Sequence, residues 1–188
     1  MASLNRVDPW GQIFESAERG YLMGNRDFKD AWITCSLRHP DGSTGSSTVS
    51  SRKLFFLDEP TALAAGHRPC GQCRRKEYDL FKQMWGTVGE GPIDATLRKE
   101  SAAAAAVESS VGYLTRRSEQ LPPGAMFAVD GKAYLAWQRV AYLWSPGGYT
   151  SAGLLKEFGT VWVLTPPSTE RVLEAGYRPW VHPSVWRP

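Results

Sequence analysis

Apolar and polar positions alternate over Ala31 to Leu37, setting Trp32, Thr34 and Ser36 on one face and Ile33, Cys35 and Leu37 on the other. That period of two, with β-favouring Trp32, Ile33 and Thr34, predicts a strand. A second short apolar strand is expected over Lys53 to Leu57. The period then changes. Apolar residues at 78, 80, 81, 84 and 85 fall on one side of a helix, so Tyr78 to Trp85 is expected to be amphipathic. Ile93 to Glu108 is helix-prone through its alanines, with little apolar bulk to anchor it. Leu121-Pro122-Pro123-Gly124 reads as a boundary. Beyond it, Ala125 to Val129 and Ala133 to Trp137 form a predicted hairpin around Asp130-Gly131. Val140 to Trp144 and Thr160 to Leu164 read as further strands, and Pro167 to Ala175 as a helix closed by Gly176. Near the start, Gln12 to Arg19 reads as a short helix, and Met23-Gly24-Asn25-Arg26 as a turn whose backbone N–H groups and Arg26 offer a phosphate cradle.

The stretch from Leu57 to Arg75 organises the chain. Asp58 is placed to cap a helix, Pro60 suits its first turn, and Gly66 ends it. Arg68-Pro69 resists helical continuation. The chain therefore stops, turns and presents Cys70 and Cys73 from one knuckle, which is how half of a zinc site is built. A redox pair is the alternative, but there a helix begins at the motif, whereas here the helix precedes it.

Leu54-Phe55-Phe56, Ala62 to Ala65 and Gly66-His67-Arg68-Pro69-Cys70-Gly71-Gln72-Cys73-Arg74-Arg75 together resemble the second half of the zinc module that opens the Ada DNA-repair methyltransferases. A looser likeness runs from about Trp32 to Arg75. The family's first two ligands are cysteines four apart, and this chain has Cys35 and, four later, His39. The resemblance thus implies a Cys35, His39, Cys70, Cys73 set, an ordinary structural zinc composition. His67 stands where the family has an aromatic residue and is an alternative fourth ligand. By position Cys35 also matches the family's alkyl acceptor. The segment Asp41 to Ser51 reads as a loop inserted between the two halves. The family's helix-turn-helix and alkylguanine-transferase domains are not recognisable.

Composition adds limits. No apolar run approaches the roughly 20 residues of a membrane helix. Arg6, Asp8, Glu15 and Glu18 interrupt any signal-peptide core, so the expected location is cytoplasmic. The chain has 3 cysteines, two of them in a tight pair, which suits metal in a reducing compartment better than a disulfide framework. A net charge of +3 permits nucleic-acid binding without requiring it. The cations nearest the knuckle, Arg68, Arg74, Arg75, Lys76 and Lys82, with Arg26 from the earlier turn, are the candidate phosphate contacts. Tyr134, Trp137, Tyr142, Trp144 and Tyr149 are candidates for base stacking, with packing as their ordinary role. His182 reads as a surface histidine. No H-E-x-x-H, G-x-S-x-G or nucleotide-binding glycine loop occurs, and Asp58-Glu59 and Asp94 read as helix starts.

The expected fold class is α+β, with a zinc-knuckle α/β part over residues 1–120 and a small β-rich, barrel-like part over residues 121–188. The expected function is a zinc-containing DNA-binding protein that recognises modified or damaged DNA. The alternatives are a DNA-acting enzyme (nuclease, lyase or alkyl acceptor through Cys35) and a zinc-stabilised interaction module without nucleic acid.

Overall fold

A computed structural model describes residues 4–18, 20–28, 31–37, 54–88, 91–106 and 112–186. The fold is α+β, with two six-stranded sheets and 4 helices among the described residues. No helix among them is long and apolar enough to cross a membrane.

The first sheet is mixed. It contains β1 (Leu4–Val7), β2 (Ile13–Ser16), β3 (Leu22–Phe28), β4 (Ala31–Ser36), β5 (Leu54–Phe56) and β6 (Arg68–Pro69), in the order β2-β1-β5-β3-β4-β6. Two expectations fail here. The expected helix does not form over residues 12–18, because Ile13–Ser16 pairs antiparallel with Leu4–Val7. Asp8 closes that hairpin by accepting N–H bonds from Trp10 and Gln12, and Gly11 takes φ +79. A turn with a carboxylate built into it outweighs weak local helix propensity. Nor is Met23 to Arg26 a turn with free N–H groups. It runs inside β3, paired with β4 on one side and β5 on the other. Gly24 is there because a Cβ would run into the Phe56 ring.

α1 (Glu59–Ala64) follows β5 and is buried along its whole length. Asp58 caps it by accepting from the Thr61 N–H, and Gly66 ends it at φ +77, as the sequence predicts. A helix buried on every side has to serve several cores. Leu63 joins Phe81, Trp85, Leu97, Phe127 and Val172. Ala64 joins Met126, Leu135, Tyr149 and Leu164. Ala62 and Ala65 join Val7, Leu22, Leu54 and Phe56.

α2 (Arg75–Val88) and α3 (Ile93–Ala106) come next, and α2 buries Phe81 and Trp85 as its period predicts. The second sheet is antiparallel throughout. It holds β7 (Leu114–Arg117), β8 (Met126–Val129), β9 (Lys132–Trp137), β10 (Val140–Ser145), β11 (Gly148–Leu154) and β12 (Thr160–Val163), in the order β11-β10-β9-β8-β12-β7. The barrel-like expectation is corrected: no closure is found, and β11 and β7 are opposite edges of an open sheet. Helices cover the sheet instead. α2 and α4 (Pro167–Glu174) bring Phe81, Trp85, Val172 and Leu173 onto Phe127, Ala136 and Val161. β7 lies before residue 121 and yet completes this sheet.

The Asp130-Gly131 turn has φ of 49° and 70°, as the hairpin signal predicts. Gln138-Arg139 makes a second turn of the same hand, at 49° and 67°, from residues without the usual Asn-Gly signature. β11 carries only a weak strand signal, since Gly148, Ala152 and Gly153 are poor strand formers.

The two parts meet at the start of α1. Asp58, fully buried, accepts from Thr61 N–H and Oγ1 and from the Tyr149 hydroxyl through Oδ1, and from His182 N–H through Oδ2. Glu59 accepts from the Tyr177 hydroxyl at 2.7 Å and the Trp180 N–H at 2.8 Å, and pairs with Arg74 at 2.9 Å. The surface reading of His182 is thereby corrected, because its backbone is drawn inward to a carboxylate and its side chain is buried. Removing one member of a buried ion pair leaves an uncompensated charge, at a cost of about 3–5 kcal/mol. Glu59→Gln is therefore expected to lower unfolding stability by about 3 kcal/mol, read as a reduced urea midpoint at unchanged slope. An unchanged midpoint would refute this role.

Candidate metal centre

Two local features bring Cys35, Cys70 and Cys73 together. β4 carries Cys35 on the face that also presents Ala31 and Ile33, as the alternation predicts, and this apolar patch packs with Cys70 and Cys73. β6 then runs parallel to β4, with Ile33 opposite Arg68 and Thr34 opposite Pro69. Pro69 is tolerated because β6 is an edge strand. The Cys70 N–H donates to the Thr34 carbonyl at 3.0 Å, which sets Cys70 beside Cys35. The knuckle closes with the Arg74 N–H on the Cys70 carbonyl at 3.1 Å, and α2 continues from it.

The three Sγ atoms lie within 4.8 Å of one another. Tetrahedral zinc with bonds of about 2.3 Å holds its sulfurs about 3.8 Å apart, so the set fits zinc with small side-chain adjustment. The ionisation also suits a metal. The Cys70 thiol is pulled well below its ordinary range, first by hydrogen bonding from Cys35 and then from Cys73, with the Gln72 N–H adding to it. Cys35 is pushed up, first by its bond to Cys70, because it is the proton donor. A metal ion takes thiols as thiolates, so its binding at this cluster would release their protons.

The surrounding residues hold the knuckle in place. Arg74 donates to Thr34 Oγ1 at 2.8 Å and pairs with Glu59, so its guanidinium bridges β4, the knuckle and α1. Arg68 donates from Nε and Nη2 to the two oxygens of Asp94, at 2.7 and 3.0 Å, and lies over the Tyr78 ring. These two cations, expected to meet phosphates, are buried and engaged within the fold. Arg75, Lys76 and Lys82 are exposed on α2, with Arg75 in an exposed pair to Asp79. Arg26 is half-buried, donating to the Gly11 carbonyl and lying 4.5 Å over the Trp32 ring.

His39 and the Asp41 to Ser51 loop lie outside the described residues. His67 is described and stands apart from the thiols. Its ring lies against Trp32 and Phe56, and Nδ1 sits 2.9 Å from the Ala65 carbonyl. A carbonyl only accepts, so Nδ1 carries the proton, and Nε2 has no hydrogen-bond partner among the described residues. His67 is thus an aromatic packing group. The aromatic stacking candidates are likewise packed: Tyr134 against Phe127 and Phe158, Tyr149 onto Asp58, and Trp137, Tyr142 and Trp144 against the core around Met126.

Sequence reading missed Thr34 and Glu59 as supports of the knuckle. No local signal marks them, because their partner Arg74 is distant in the chain. Comparison with family models, with curated proteins and with solved structures finds no match.

Two predictions follow from the site and its surroundings. Cys70→Ser is expected to lose most bound zinc, measured by metal analysis of the purified chain; full retention would refute Cys70 as a ligand. His67 gives a pH signature. Burial, reinforced by the Arg26 charge, pushes its imidazole down to about 3. The unfolded chain takes that proton near pH 6.5, so stability from this residue is complete above about 6.5 and is lost as pH falls towards 3. Asp58, raised to about 6, and Glu170, raised to about 7, both chiefly by burial, act in the opposite direction. Comparing His67→Phe with the parent isolates the histidine. The variant is expected to lose a few kcal/mol less between pH 6.5 and 4, and parallel pH profiles would refute the assignment.

Proposed function

We propose that this protein is a zinc-containing DNA-binding protein that recognises modified or damaged DNA. The observation that carries the metal part is the convergence of three thiols from β4 and the knuckle within 4.8 Å. His39, four residues after Cys35, is the proposed fourth donor. Zinc in such a set is structural: it would hold the knuckle closed and keep its cysteines as thiolates. Nothing in this role requires an open coordination position.

The DNA part rests on position and charge. α2 leaves the knuckle directly and presents Arg75, Lys76 and Lys82 to solvent within two turns. Cations fixed on a helix beside a rigid metal site are suited to phosphate contacts. The likeness of Leu54 to Arg75 to the Ada zinc module supports the same reading and is the ground for proposing altered bases as the target.

The test is binding of an oligonucleotide at two salt concentrations, before and after chelation. Three phosphate contacts give a slope of log K against log salt of roughly −3. Binding is expected to weaken on chelation as the knuckle loosens. Zinc-loaded protein that binds no DNA at low salt would overturn this reading in favour of a zinc-stabilised interaction module.

A further inference from the structure

We infer that the groove between α2 and α3 is a nucleotide subsite, taking one unstacked base of single-stranded DNA against Tyr78 with the adjoining phosphate at Lys82. This rests on the DNA-binding reading above and specifies where a base is held. The groove has a volume of about 370 Å³, and its lining includes Tyr78, Lys82, Trp85, Gly86, Ile93 and Asp94. That volume is within the range of small-ligand sites.

Its walls are fixed. The Trp85 indole N–H donates to the Gly91 carbonyl at 2.8 Å, which anchors the ring where α3 approaches. The Tyr78 ring lies beneath the Arg68 guanidinium at 4.9 Å, and that guanidinium is held on Asp94. A Cβ on Gly71 would come within 3.2 Å of the same ring, so the knuckle also abuts the groove. Asp94 keeps lone pairs beyond those given to Arg68, and these suit the amino and imino edges of a base.

The polar pattern matches a nucleotide. Positions 75, 78, 82 and 85 are three, four and three residues apart, so Arg75, Tyr78, Lys82 and Trp85 form one stripe of α2. Arg75 and Lys82 are about 10 Å apart along the axis. The Arg75–Asp79 pair is exposed and so contributes little, which leaves Arg75 free to exchange partners. A partly exposed aromatic ring with a cation at the rim is recurring apparatus for single strands.

Gly86 gives the groove its opening. It lies within α2 with no left-handed φ, and a Cβ there would meet nothing within 4 Å. Neither backbone nor packing calls for glycine, which weakens a helix. Its effect is to leave the groove wall bare.

The test uses a short single-stranded oligonucleotide carrying 2-aminopurine, titrated into the full zinc-loaded chain at two salt concentrations. The parent protein is expected to bind it and quench the aminopurine by stacking. Gly86→Phe, which adds a ring into open space on a helix, is expected to keep zinc and fold yet weaken binding about tenfold and abolish quenching; Tyr78→Ala behaves likewise. Lys82→Ala reduces the salt slope by about one. If Gly86→Phe and Tyr78→Ala bind and quench as the parent does, the subsite is wrong while the DNA-binding reading stands. If the parent binds no oligonucleotide at low salt, both are overturned.

Discussion

Two adjacent buried carboxylates, Asp58 and Glu59, govern how the rest of the chain is arranged. Burying one carboxylate is costly unless its lone pairs are met, and two in succession double the demand. The chain meets it from distant places. Asp58 is served by its own helix, by Tyr149 of the second sheet and by the backbone of His182; Glu59 is served by Arg74 of the knuckle, Tyr177 and the backbone of Trp180. One helix start therefore joins the first sheet, the second sheet, the C-terminal segment and the thiol cluster. Slippage of any one would strand a buried charge, which makes the arrangement specific as well as stable.

α1 adds an apolar hub to this polar one. Ala62 to Ala64 and the C-cap Ala65 contribute to three separate clusters. The knuckle that follows inherits its position from that rigid helix, from the parallel pairing of β6 with β4 and from the Arg74 bridge. Cys35 and Cys70 are neighbours because backbone hydrogen bonds make them so. In the proposed zinc site the metal completes an existing geometry and adds stability to a chain long enough to have its own core.

The legible parts were those whose signal is local. Helix-stop chemistry at Gly66, the capping aspartate, the alternation at Cys35, the 3.6-residue period at Phe81 and Trp85 and the Asp-Gly hairpin each depend on a few neighbouring residues. The misread parts depend on distant partners. Residues 13–16 became a strand because β1 was there to pair with, and Met23 to Arg26 ran straight because β4 and β5 flank it. His182 is buried because of a carboxylate more than a hundred residues earlier in the chain. Of the site, Cys70 and Cys73 could be read from their spacing and the face of Cys35 from alternation, while the ligand role of Cys35 rested on the resemblance. Thr34 and Glu59 could not, since a threonine in a strand and a glutamate in a first turn are ordinary there.

The fate of the arginines shows why charge in a sequence is a poor map of a surface. Arg68, Arg74 and Arg75 stand close together in the chain, yet Arg74 is spent on Glu59, Arg68 on Asp94, and only Arg75 reaches solvent. With Lys76 and Lys82 it leaves a short basic stripe rather than a broad patch. A stripe of that size releases few counterions and supplies modest non-specific affinity. Under the proposed function, discrimination then depends on a shaped groove beside the knuckle with Tyr78 on its wall, and the cations serve mainly to bring a strand into register with it.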